Sequence, residues 1–200
     1  MINLLQINAS INNGNGQSSQ LANRFVAAFR SSRPEARIML RDVAAQPVPH
    51  LDGERFAAFI TPAERRTAAQ KAAVAYSDSL IDELKQADLI VLGLPMYNFG
   101  IPSQLKAYFD HIARAGVTFK YSEQGPVGLL TGKRALVFAA RGGVYAGSPL
   151  DTQTGYVRDI LRFIGIGDVE FVYAEGLNIS PQSKEAGLAK ALAEIERLAA

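Results

Sequence analysis

The stretch Asp88-Leu89-Ile90-Val91-Leu92-Gly93-Leu94 decides the fold class of this chain. After its first residue it is continuously apolar and only a few residues long, which is typical of a strand buried on both faces. Such strands occur in parallel sheets that are covered by helices on both sides. The stretch therefore predicts an α/β protein with this strand near the middle of the sheet.

Four further apolar runs alternate with helical patterns on either side of this strand. They predict strands over 2–7, 36–41, 134–140 and 169–173, and helices over 18–30, 61–86, 102–114, 150–163 and 181–198. The run 36–41 alternates polar and apolar side chains, which predicts an outer strand. Because connections between parallel strands are right-handed, the pattern predicts a doubly wound sheet of five parallel strands with helices on both faces. No repeat or linker interrupts it, so one domain over residues 1–200 is expected.

Two segments carry more detailed local predictions. In Thr61-Pro62-Ala63-Glu64, Thr61 has the position of an N-cap and Glu64 completes a capping box, which predicts that a helix starts here. A Pro-rich excursion over 46–53 precedes it and leads into a short helix. A second excursion, over 116–133, contains the β-like stretch 117–121 and a turn predicted at Gly125-Pro126.

The composition excludes several classes of function. The chain has no cysteine and only two histidines, so disulfides, thiolate chemistry, iron–sulfur clusters and a typical zinc site are excluded, and no metal is expected. Any redox chemistry must therefore use an organic cofactor. The net charge of +2 comes from scattered residues, so no nucleic-acid partner is expected. No run is long and apolar enough for a membrane span, so a cytoplasmic protein is expected.

Ligands of such sheets bind beyond the carboxyl ends of the strands, so functional residues should follow the first, third and fourth strands. The loop 8–19 after the first strand is rich in small polar residues and runs into a helix. Its backbone N–H groups and the hydroxyls of Ser10 and Ser18 would suit a phosphate. The alternative is a flexible loop, with Ser18 only capping the helix that follows it. Neither a Walker lysine nor a GxGxxG motif is present.

The other two loops suit a flat, amphipathic ring. After the third strand, Met96, Tyr97 and Phe99 would surround the ring while the backbone N–H near Asn98 donates to a ring nitrogen; alternatively, the aromatic residues only close the core. After the fourth strand, Gly142-Gly143 would turn successive N–H groups towards negative charge. The alternative for that pair is an ordinary turn.

Several motifs together resemble one bacterial family, the FMN-dependent NADH-azoreductases, also described as FMN-dependent NADH:quinone oxidoreductases. The resemblance extends across essentially the whole chain. It is carried by Leu51-Asp52-Gly53, Pro95-Met96-Tyr97-Asn98-Phe99, 114–119, 131–134, Arg141-Gly142-Gly143, 163–166 and Ala174-Glu175-Gly176.

The resemblance implies a flavodoxin-like fold and a homodimer with one FMN per subunit at or near the interface. It implies two-electron, ping-pong hydride transfer from NADH, or alternatively NADPH, to quinones and azo compounds. The cofactor-binding residues that it implies are Ser10, Gly16, Gln17, Ser18, Met96, Tyr97, Asn98, Phe99, Ala140, Arg141, Gly142 and Gly143. Aromatic walls around the substrate would come from Phe119, Tyr121 and Phe163, for which packing in the core or the dimer interface is the alternative.

Two positions depart from many relatives. Ala140 replaces a hydroxyl residue, and Tyr145 replaces a histidine found in some relatives, so a role for that histidine in proton delivery does not transfer unchanged. Asn98 and Tyr145 remain the candidate catalytic side chains beside the flavin. Two other functions are the alternatives: a flavodoxin-type electron carrier, against which the mildly basic charge argues, and an interaction protein that has lost its flavin.

Overall fold

The computed structural model of the chain describes residues 2–199. Its main sheet has five parallel strands in the order β2-β1-β3-β6-β7. A separate antiparallel hairpin is formed by β4 and β5. The strands are β1 (Asn3–Asn8), β2 (Arg37–Asp42), β3 (Leu89–Pro95), β4 (Phe119–Ser122), β5 (Gly125–Gly128), β6 (Arg134–Ala140) and β7 (Asp168–Ala174). The helices are α1 (Gln17–Ser32), α2 (Gly53–Ile60), α3 (Ala68–Gln86), α4 (Ser103–Ile112), α5 (Thr152–Phe163) and α6 (Pro181–Ala199).

The central strand β3 is buried along its whole length, as its apolar sequence predicts. Ile90 and Leu92 pack into the core beneath α3, α4 and α5, whereas Leu89 and Val91 pack beneath α1 and α6. Each such side chain stabilises the fold by about 1.5–3 kcal/mol when it leaves water. The doubly wound, five-stranded prediction is confirmed, and β2 lies at the edge as its alternating pattern indicates.

The predicted start of the long helix is wrong. Thr61 ends α2, and its hydroxyl donates to the carbonyl oxygen of Ala57 at 2.7 Å. The capping box belongs to Thr67, whose hydroxyl accepts from the Gln70 N–H at 3.2 Å while the Gln70 side chain accepts from the Thr67 N–H at 3.0 Å. Both threonines are followed three residues later by Glu or Gln, so the motif fits twice. Thr61 is already engaged by the preceding helix, which leaves Thr67 as the cap.

The hairpin differs from the sequence prediction in the place of its turn. Glu123 and Gln124 form the turn, while Pro126 lies within β5 and pairs with Tyr121. A proline fits there because β5 has only one neighbouring strand and needs no N–H on its other side. No helix within residues 2–199 is long and apolar enough to cross a membrane.

Candidate functional site

Three predicted loops meet at the carboxyl edge of the sheet, where the strand order reverses. They follow β1, β3 and β6, which are consecutive neighbours in the sheet. The Tyr97 hydroxyl lies 3.3 Å from the Ser10 hydroxyl, and the Met96 N–H donates to the Ala140 carbonyl oxygen at 3.1 Å. The structure therefore brings the three sequence-predicted loops into one place, as expected for a ligand site in a doubly wound sheet.

The loop after β1 offers hydrogen-bond donors that the protein itself leaves unused. The hydroxyls of Ser18 and Ser19 are buried and have no hydrogen-bond partner within residues 2–199. Gly16 is the N-cap of α1, and no side chain among the described residues caps this helix. The half-buried Gln17 is its first residue. Free N–H groups and buried hydroxyls at a helix N-terminus make a site for an anionic oxygen group.

Gly16 lies directly against Ser10. A Cβ atom at Gly16 would lie 2.0 Å from the Ser10 hydroxyl oxygen and 2.5 Å from its Cβ. The buried Ser10 hydroxyl accepts the Asn12 N–H at 3.2 Å, which holds it in this position. The loop therefore closes onto Ser10 only because residue 16 has no side chain.

The loop after β3 is a tight turn with an unusual backbone. Tyr97 and Gly100 exchange N–H to carbonyl bonds at 3.0 and 2.9 Å, and the two residues between them, Asn98 and Phe99, have φ values of 50° and 64°. A left-handed backbone is tolerated by Asn but is rare for a bulky residue such as Phe. Such conformations concentrate at functional sites. The N–H groups of Asn98 and Phe99 find no acceptor within residues 2–199, which fits the prediction that this backbone faces a ligand.

The loop after β6 also presents unused backbone donors. The carbonyl oxygens of Arg141, Gly142 and Gly143 all accept from the segment 176–178, at 2.8–3.2 Å. The N–H groups of Gly142 and Gly143 donate to nothing in the described part of the chain. A Cβ atom at Gly143 would lie 2.6 Å from the outer end of the Tyr145 ring, so any other residue here would force that ring to move. Two adjacent free N–H groups can stabilise negative charge, as predicted for this pair.

Arg141 is placed differently from its neighbours. Its side chain is completely buried and forms ion pairs with Asp151 at 2.9 Å and Glu175 at 3.1 Å. Its guanidinium also lies over the ring of Tyr173, 4.9 Å from the centroid. Burial by itself would raise the pKa of Asp151, but the hydrogen bonds from Arg141 and Thr154 outweigh it and lower that pKa. Arg141 therefore binds protein carboxylates, and only backbone near it is open to a ligand.

Tyr145 connects the loops after β3 and β6. Its ring stands edge-on to Phe99, with centroids 5.6 Å apart and an interplanar angle of 68°. Glu175 accepts from the N–H groups of Tyr145 and Ala146, at 2.9 Å each. The half-buried Tyr145 ring thus lies beside the left-handed turn, near the other candidate catalytic residue, Asn98.

The three predicted substrate residues come together, but away from these loops. Phe119 packs on Phe163 with centroids 4.1 Å apart and on Tyr121 at 5.6 Å. Phe163 ends α5 shortly before β7 begins, so this aromatic cluster lies towards the amino end of the parallel strands. The three loops lie at the carboxyl end. Within one chain, the cluster and the loops are therefore separate.

Two residues at the start of α5 contact the turn and were missed in the sequence. Thr152 donates its hydroxyl to the Phe99 carbonyl oxygen, and Gln153 donates its amide to the Pro95 carbonyl oxygen at 2.8 Å. The only available signal was Asp151, a side chain suited to an N-cap, which would have placed both residues in the first helical turn. That position does not reveal contacts to a loop more than fifty residues away.

The comparisons with known proteins agree with this geometry. The sequence profile of a family described as having a flavodoxin-like fold matches residues 2–199. The chain is similar to the FMN-dependent NADH:quinone oxidoreductase of Cellvibrio japonicus (strain Ueda107), with 57% identity over 197 residues that cover 98% of each protein.

Two solved structures extend the similarity to the whole fold. An azoreductase from Bacillus anthracis str. Sterne is 30% identical, with a TM-score of 0.91 over 100% of this chain and 99% of that one. An FMN-dependent NADH-azoreductase from Bacillus anthracis str. Ames Ancestor, solved in complex with FMN, is 29% identical, with a TM-score of 0.89 over 100% and 98%. The family resemblance predicted from the sequence motifs is confirmed. This chain belongs to the flavodoxin-like family of FMN-dependent NADH:quinone oxidoreductases and azoreductases.

Proposed function

We propose that this protein is an FMN-dependent oxidoreductase that takes electrons from NADH, or alternatively NADPH, and reduces quinones and azo compounds. The observation that carries the proposal is the set of unused donors where the three loops meet. Buried hydroxyls follow β1, free N–H groups at Asn98 and Phe99 follow β3, and a second free pair follows β6. Three donor groups at one sheet edge suit a ligand with a phosphate at one end and a polar ring at the other.

The residues present fit FMN. The phosphate would be held by Ser10, Gly16, Gln17 and Ser18, at the N-terminus of α1. The ring would be bordered by Met96, Tyr97, Asn98 and Phe99, and its pyrimidine side by Gly142 and Gly143 with the adjoining backbone of Ala140 and Arg141. When bound, FMN supplies the hydride chemistry that the side chains of this chain lack.

The protein's own contribution is positioning and electrostatics. The free N–H groups of the left-handed turn and of the Gly142-Gly143 pair would donate to the ring edge without first breaking bonds within the protein, so little reorganisation would be needed on binding. The Tyr145 hydroxyl and water are the candidate proton donors, and Asn98 is the other polar side chain of the turn. NADH and the electron acceptor are proposed to bind at the same site, one after the other.

The visible spectrum of the purified protein tests this function. A flavin band should disappear on anaerobic addition of NADH and return when a small quinone is added. Double-reciprocal plots of initial rates with NADH and quinone varied together should give parallel lines, as a ping-pong mechanism does. Intersecting lines would indicate a ternary complex and contradict the proposal that both substrates bind one after the other at the same site. A flavin band that NADH does not bleach would favour an electron carrier, and protein that cannot be reconstituted with FMN would favour an interaction role.

We also propose that residues 1–200 form a single domain and that the protein works as a homodimer. We place it in the cytoplasm, since NADH is a cytoplasmic donor. The separation of the aromatic cluster from the three loops supports the dimer, because a second copy can bring its cluster to the first copy's loops. The hairpin also exposes apolar surface, with Tyr121 72% accessible and Val127 42%. Sedimentation should give twice the 21.6 kDa of one chain. A fully active monomer would contradict the proposal.

A further inference from the structure

The first turn of α5 lies against the loop after β3. Gln153 is completely buried, and its amide nitrogen donates to the carbonyl oxygens of Pro95 at 2.8 Å and Gly100 at 3.3 Å. Thr152 donates its hydroxyl to the carbonyl oxygen of Phe99. Three carbonyl groups of one six-residue loop therefore point to one helical turn. We call Thr152 and Gln153 the α5 clamp.

The orientation of the Gln153 amide follows from its neighbours. Both carbonyl oxygens can only accept hydrogen bonds, so the amide NH2 group must face them. The amide oxygen then faces Arg141, whose guanidinium donates to it at 3.4 Å. Arg141 begins the loop after β6, so a single buried side chain joins the loops that follow β3 and β6.

We propose that Gln153 is a positioning residue of the FMN site, which it serves by holding the left-handed turn at Asn98 and Phe99. This inference rests on the proposed FMN-dependent function. The turn contains two non-glycine residues in a sparsely populated conformation, which persists only when its surroundings hold it. The clamp holds the carbonyl groups of Pro95, Phe99 and Gly100, so it fixes the backbone on both sides of the turn and restricts how its two central residues can move.

The test compares Gln153→Met with Val157→Ala, both made in the full chain. Methionine keeps the volume of Gln153 but cannot donate, so the Pro95 carbonyl loses its partner and the Gly100 carbonyl keeps only the Tyr97 N–H. Val157 is also completely buried in α5, one turn further on, and its apolar side chain forms no hydrogen bond to the loop. Its truncation therefore reports what destabilising the helix does by itself.

Two measurements separate positioning from stability. Hydrogen exchange in the FMN-free protein should show faster exchange of the Tyr97 and Gly100 amides in Gln153→Met but not in Val157→Ala. Titration with FMN should give a Kd about tenfold higher for Gln153→Met, since an unsatisfied buried carbonyl costs about as much as a tenfold change in affinity. For Val157→Ala the Kd should stay within about twofold even though its melting temperature falls.

Thr152→Val provides a second variant because Thr152 is exposed and its replacement preserves the fold. Its Kd for FMN should rise by about threefold, as expected for loss of one hydrogen bond of ordinary strength. The inference is overturned if both clamp variants keep the parent's loop exchange and Kd, or if Val157→Ala reproduces their effects. Failure of the parent chain to bind FMN would overturn the proposed function instead, and the exchange data would still decide whether Gln153 holds the turn.

Discussion

Replacing Arg141 with methionine should strongly destabilise the protein. The side chain is completely buried, and its two carboxylate partners, Asp151 and Glu175, are only 7% and 13% exposed. Methionine fills similar space, so the main effect is to leave two buried charges without their cation. Breaking a buried ion pair in this way costs about 3–5 kcal/mol. That is a large fraction of the roughly 5–15 kcal/mol by which folded proteins are stable.

Urea unfolding of the FMN-free protein, followed by circular dichroism, measures this loss. With a slope of about 2–3 kcal/mol per molar urea, the midpoint should fall by about 1.5 M. Arg134→Met is the matched control, since Arg134 pairs with Glu170 on the surface and is 45% exposed. Such a pair contributes about 0–1 kcal/mol.

The pH dependence gives the Arg141 prediction a second arm. In the parent, the lowered pKa of Asp151 means that its contribution is present above the unfolded value of 3.8 and is lost as pH falls through the folded pKa. Without Arg141, the strongest influence that lowers the pKa of Asp151 is gone and burial raises that pKa, so the folded variant takes up this proton more readily and regains stability as pH falls. If Arg141→Met lowers the free energy of unfolding by less than about 1 kcal/mol, or lowers it equally at pH 8 and pH 5, this reasoning is refuted.

Three further predictions follow from single contacts. Gly143→Val should raise the Kd for FMN at least about tenfold because its side chain displaces the Tyr145 ring; an unchanged Kd in a fluorescence titration would contradict the role of the glycine pair. Burial lowers the pKa of His111, so the parent has its full stability above the unfolded pKa of 6.5 and loses stability as pH falls below it. His111→Phe should abolish that loss, as measured by urea midpoints between pH 7.5 and 5. Thr67→Ala should cost about 1 kcal/mol through loss of the α3 cap; an equal loss in Thr61→Ala would show that the two threonines are not distinguished as the structure indicates.

Much of the fold was predictable because it depends on local pattern. The apolar run of β3 and the alternating run of β2 each determine how many faces of the strand are buried, and both strands lie where these patterns indicate. Parallel topology then places the loops after β1, β3 and β6 at one edge. The helix start at Thr61 was wrong because the same capping motif recurs at Thr67, and only the end of α2 decides between them.

The sequence by itself therefore determined the fold, the family, and the three loops that form the candidate cofactor site. Only the tertiary structure decided what individual side chains within that site do. Arg141 lies inside a glycine-containing loop motif, yet it points into the core towards the carboxylates of Asp151, the N-cap of α5, and Glu175, just after β7. Gln153 has no motif, yet it holds a turn more than fifty residues away. Periodicity and capping report each residue's local surroundings, whereas these contacts depend on which loops the folded sheet places side by side.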